Sequence, residues 1–172
     1  MRTLHTIIEG ADTVHDRLLL TFDARERCRQ RVRLESGEEV ALLLVRGSVL
    51  RDGDLLTGEG ERVARVVAAL EPGYKVACAD PVLLARCAFH LGNRHTRTQV
   101  GAGWLRIRVD PVLKEMLERL GAAVVEELAP FEPEAGAYGG GHAHGHEHRH
   151  GGGGLLAPLP LRQKIHRPSD PA

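Results

Sequence analysis

Twice in this chain the tetrapeptide Asp-Pro-Val-Leu follows an extended run and opens a helical pattern, at 80 to 83 and again at 110 to 113. Aspartate offers an oxygen to the free amides of a first helical turn, and the proline after it is preset for helix and has no amide to leave unpaired. The first helix carries Leu83, Leu84, Cys87, Ala88 and Leu91 at helical spacing and is expected to stop at Gly92-Asn93 with a left-handed residue. The second is expected to bury Val112, Leu113, Met116, Leu117 and Leu120 and to stop at Gly121. Extended runs frame them: Tyr74 to Ala79, then Thr98 to Val100 and Trp104 to Val109 as a hairpin about Gly101-Ala102-Gly103, and finally Ala123 to Leu128. The resulting order, β-α-β-β-α-β in two related halves, is the ferredoxin-like split plan.

Upstream, Leu18 to Leu70 reads as short strands broken by turn residues at Glu35-Ser36-Gly37-Glu38, Arg51-Asp52-Gly53-Asp54 and Gly58-Glu59-Gly60. The fold class is therefore α+β: a small all-β domain over 1–73, closed by the punctuation of Glu71-Pro72-Gly73, then a ferredoxin-like domain over 74–138. Arginine at 25, 27, 29, 31 and 33 would fall on one face of a strand, a solvated edge that blocks aggregation or a docking surface for an acidic partner. Residues 139–172 form a Gly-, Pro- and His-rich tail with too little apolar surface to offset its ordering entropy, so disorder is expected there.

Charge and composition narrow the function. Lysine plus arginine total 23 and aspartate plus glutamate total 23, so no global field draws a phosphate backbone, and 3% aromatic residues supply few stacking platforms; nucleic acid is not an expected partner. Three cysteines without a C-x-x-C pair, no signal-like opening and no apolar run near ~20 residues point to the reducing cytoplasm and away from the membrane. Cys87 lies on an apolar helical stripe, Cys28 and Cys78 in expected strands, and all three read as small buried hydrophobes.

Five of the ten histidines, His142, His144, His146, His148 and His150, alternate within nine residues flanked by glycine. Imidazole suits nickel, copper, zinc and cobalt, and a glycine-rich chain lets several rings converge on one ion without a preformed cavity. An expression tag would be contiguous and terminal, whereas this tract alternates with Ala, Gly, Glu and Arg and more chain follows it. A tract of this kind stores metal and discriminates poorly, so a structured site is sought as well. His95, three residues past the expected end of the first helix, is the candidate, because free carbonyls and the negative helix end favour a cation. His90 reads as a structural histidine at the margin of the apolar face, and His5, His15 and His166 have no neighbours at ligand spacing.

Several segments together resemble the UreE-type urease accessory proteins: Phe89-His90-Leu91-Gly92-Asn93-Arg94-His95; Asp110-Pro111-Val112-Leu113 with Leu117 and Leu120-Gly121-Ala122; Ala129-Pro130-Phe131-Glu132-Pro133-Glu134 with Gly136-Ala137-Tyr138-Gly139; and the His-rich end. Arg46-Gly47 and Leu50-Arg51-Asp52-Gly53-Asp54 match the family's N-terminal β domain, so the likeness runs from about Leu18 to His150. The resemblance implies a nickel metallochaperone and not an enzyme: a homodimer in which His95 of each protomer binds one Ni2+ at the interface, while the tail histidines collect further ions. It implies a β domain akin to chaperone peptide-binding modules, and as partners the urease accessory GTPase and, through the accessory complex, apo-urease. Zn2+, Cu2+ or Co2+ would suit the same ligands. A nickel or zinc storage protein without a urease role is the alternative. Some members carry histidine where this chain has Pro111, so Asp110 is expected to be a helix cap and not a ligand. An acylphosphatase-type enzyme would share the element order, but its anion-cradling loop is replaced here by the short acidic Ala79-Asp80-Pro81.

Overall fold

Leu18 and Leu20, Val32 and Leu34, and Val40, Leu42 and Leu44 are buried while the residues between them face outward, the period of two that makes strands with one core face. In the computed structural model, which describes residues 1–135, these lie in or directly after β2 (Asp16–Leu20), β3 (Arg29–Arg33) and β4 (Glu39–Leu43). With β1 (Arg2–Ile8), β5 (Leu55–Gly58) and β6 (Ala64–Ala68) they form a six-stranded barrel-like sheet of order β2-β6-β5-β1-β4-β3. β1 precedes every strand expected from the sequence yet runs inside the sheet, parallel to β4 and antiparallel to β5, with Leu4 wholly buried. Its other side chains are half-buried or exposed, which leaves little alternation to read.

The second sheet has the expected β-α-β-β-α-β order: β7 (Leu70–Ala77), α2 (Pro81–Gly92), β8 (Gln99–Gly101), β9 (Trp104–Arg108), α3 (Pro111–Arg119) and β10 (Ala123–Pro130). Its strands lie β10-β7-β9-β8, each antiparallel to its neighbours. Tyr74, Val76, Leu105 and Ile107 meet Leu83, Cys87 and Leu91 of α2 and Leu117 of α3 in one core. Glu71-Pro72-Gly73, expected as a break, continues β7 and pairs with Ala129, Leu128 and Glu127. β9 ends opposite Gly73, so Pro72 lies past the last rung on that side and its missing amide costs no ladder bond. Val112, expected inside, is 76% exposed, because the buried face of α3 is set by Leu113, Met116, Leu117 and Leu120 and Val112 is rotated off it.

The arginine run also differs from expectation. Only Arg29, Arg31 and Arg33 share the outer face of a strand, since α1 (Phe22–Arg25) interrupts the alternation and turns Arg25 inward to 0% exposure. Arg25 pairs with Glu132 and donates to the carbonyls of Leu50 at 3.3 Å and Phe131 at 2.6 Å. Around it, Arg51 meets Glu132 at 3.2 Å, Arg108 meets Asp23 at 2.6 Å, Arg97 meets Glu26 at 2.6 Å, and the Phe22 and Phe131 rings pack edge to face at 5.6 Å. The hydrogen bond from Arg108 holds the Asp23 carboxyl below its ordinary range. This four-residue helix is thus the bolt between the two sheets.

Candidate metal centre

Both long helices open as expected. The Asp80 carboxylate accepts from the Leu83 amide at 2.9 Å, and that of Asp110 accepts from Val112 at 2.9 Å and Leu113 at 3.0 Å. Asp110 is therefore occupied as a cap, in keeping with Pro111 standing beside it.

They also close with one motif. After α3 the Gly121 amide bonds Glu118 O at 3.0 Å and the Ala122 amide bonds Leu117 O at 3.1 Å, with Gly121 at φ 101. After α2 the His95 amide bonds Gly92 O at 2.9 Å and the Thr96 amide bonds Leu91 O at 3.1 Å, with His95 at φ 53. These are the paired bonds of a Schellman ending, whose left-handed position normally belongs to glycine. The expected stop at Gly92-Asn93 is displaced: Asn93 is right-handed, the chain turns once more, and the left-handed residue is His95 itself. A side chain at that position costs roughly 1 kcal/mol relative to glycine.

The carbonyls proposed to attract a cation here are in use. Leu91 O and Gly92 O take the backbone bonds just described, and Arg94 donates to His90 O at 2.9 Å. The nitrogen ligand that the helix end offers is the exposed imidazole of His95. Arg97, two residues on, is tied to Glu26 and lies 5.6 Å over the Phe22 ring, and the Glu134 amide bonds Thr98 O at 2.9 Å, so the loop is held from both sides. Those long-range ties had no signal in the sequence.

Phe89, 63% exposed, and Val112 stand on the outer surfaces of α2 and α3, and a shallow depression joins Arg94 to Val112, Glu115, Met116 and Leu120. Exposed Phe89 and Val112 were the second feature missed; Phe89 falls off the Leu83-Cys87-Leu91 stripe on a helical wheel, which is the signal that could have found it.

The remaining histidines serve structure or stand apart. The His15 ring accepts from the Val63 amide at 3.1 Å, His5 lies 2.8 Å from the Thr6 hydroxyl, and half-buried His90 packs edge-on to Phe89 at 5.5 Å. Cys28 and Cys78 sit just outside strand ends and are half-buried, while burial beside Cys78 pushes the Cys87 thiol up to about 11, which suppresses thiolate ligation near neutral pH. Among the described residues no three His, Cys, Asp or Glu side chains gather to hold an ion. His142, His144, His146, His148, His150 and His166 lie outside the described residues. No described helix is long and apolar enough to cross a membrane.

A six-stranded β unit bolted to an α+β unit is the frame on which His95 is carried, and both units have counterparts among accessory proteins of enzyme maturation. The family model described as the UreE urease accessory protein N-terminal domain matches residues 1–69, and that of the C-terminal domain matches 71–154. Two proteins named urease accessory protein UreE are each 59% identical: one from Nitrosospira multiformis, over 99% of this chain and 98% of its own, and one from Janthinobacterium sp. strain Marseille, over 100% and 99%. A third, from Burkholderia lata, is 54% identical over 73% of this chain and 60% of its own. The chain belongs to the UreE family of urease accessory proteins. It serves urease maturation as an accessory chaperone and not as an enzyme.

Proposed function

We propose that this chain carries Ni2+ to the urease metallocentre as a homodimer, with His95 of each protomer binding one ion at the dimer interface and His142, His144, His146, His148 and His150 collecting further ions. The observation that carries the reading is the exposed His95 imidazole held in a left-handed helix ending, a position that favours glycine. A lone imidazole binds divalent nickel weakly, and with no cluster of three ligating side chains among the described residues, a symmetric copy is the simplest source of a second imidazole. Phe89 and Val112 give such a copy an apolar surface to bury. In this reading residues 1–73 form the partner-facing β domain, 74–138 the ferredoxin-like metal-binding and dimerisation domain, and 139–172 the collecting tail. The protein works in the cytoplasm with the urease accessory GTPase and, through the accessory complex, apo-urease. Nickel titration and sedimentation of a form ending at Gly139 test it: one ion per dimer is expected, and titration to a monomer with no tight site would overturn it.

A further inference from the structure

β3 is the last strand of its sheet, paired with β4 on one side and with no strand on the other. The seam between β3 and β2 is held at one end by the Glu35 amide on Arg17 O at 2.9 Å and by the Arg17–Glu35 ion pair at 3.9 Å. Along the rest of the strand the edge is open. Its chemistry follows from register. The Leu34 amide bonds Glu38 O and the Leu44 amide bonds Cys28 O, so the even positions of β3 direct their backbone groups toward β4. The odd positions, Arg29, Arg31 and Arg33, therefore present N–H and C=O to the open edge, and the same three side chains are exposed on one face. Only Arg33 has a carboxylate partner, Glu39 at 2.8 Å; among the described residues Arg29 and Arg31 form no ion pair.

We propose that the open edge of β3 is a docking site for an extended acidic segment of a partner protein, which adds as a strand beside it. Residues of an incoming strand that pair with Arg29, Arg31 and Arg33 point to the same face as those arginines, so the register asks for carboxylates at every second position. The intervening side chains lie along Val32, on the core side. A second copy of this chain is disfavoured, because β3 against β3 sets arginine against arginine. The chain's own tail is no better suited, since its acidic residues after 135 are Glu147 and Asp170 alone. Charges that keep other copies off the edge thus select a partner of opposite sign.

The test uses the full chain and three synthetic peptides of equal length: one alternating Glu and Val, one of the same composition with its glutamates contiguous, and one alternating Lys and Val. The alternating Glu peptide should bind in low salt, protect the Arg29, Arg31 and Arg33 amides from hydrogen exchange, and bind at least roughly tenfold more weakly to the Arg29→Glu/Arg31→Glu variant. The alternating Lys peptide should bind that variant and not the parent. Equal binding of the contiguous peptide, equal binding of duplex DNA, or exchange protection elsewhere in the sheet would each overturn the proposal. If the variant fails to fold, the protection pattern on the parent protein decides.

Discussion

α2 and α3 open with the same aspartate cap and three helical residues and end with the same pair of backbone bonds, yet α3 places glycine in the left-handed position and α2 places His95. The glycine ending satisfies the helix and nothing else. The histidine ending is satisfied equally well but carries strain, and what it holds out is an imidazole. The difference separates a position chosen for backbone freedom from one where a particular side chain is worth a stability penalty.

The largest effect that could break this contrast is on metal. In the form ending at Gly139, His95→Ala should reduce nickel affinity on the order of a hundredfold or more while circular dichroism stays unchanged, since symmetry removes both imidazoles at once. Retention of one tight ion per dimer would transfer the role to another residue. Acid should act in the same direction on the full chain. Protons compete for imidazole nitrogen, so nickel bound at equilibrium should fall between about pH 7.5 and about pH 5, and an unchanged stoichiometry would mean that histidine is not the main ligand. Gly121→Ala should destabilise the protein by about 1 kcal/mol in denaturant titration, because φ is positive there although a Cβ would meet no neighbouring atom. The smallest effect has the opposite sign. His95→Gly should stabilise the metal-free protein by roughly 0.5 kcal/mol, the relief of strain exceeding the extra chain entropy of glycine. Should His95→Gly instead lower stability, the left-handed histidine carries no strain and the contrast fails.

Local chemistry made the helix starts legible, because the cap and the first-turn proline act within three residues, and Gly121 was legible for the same reason. The end of α2 was misplaced, as Gly92-Asn93 is the stronger sequence signal for a left-handed stop than a histidine two residues later. Arg25 was unreadable as a buried residue, because alternation grouped it with Arg29, Arg31 and Arg33 while its ion-pair partner is 107 positions away. By position His95 was visible as a loop histidine past a helix end, and only the family resemblance marked it as a ligand; its left-handed backbone and the clamp at Arg97 depend on contacts that no spacing encodes.

That separation between Arg25 and Glu132 also sets an order of events during synthesis. When the first six strands have left the ribosome, Arg25 has Leu50 O within reach but neither Phe131 O nor the Glu132 carboxylate, which follow only after β10. An unpaired guanidinium resists burial, so α1 cannot settle into its final place in a nascent β domain. Each sheet can condense on its own nearer contacts, but the bolt between them closes only when nearly the whole described chain has been made.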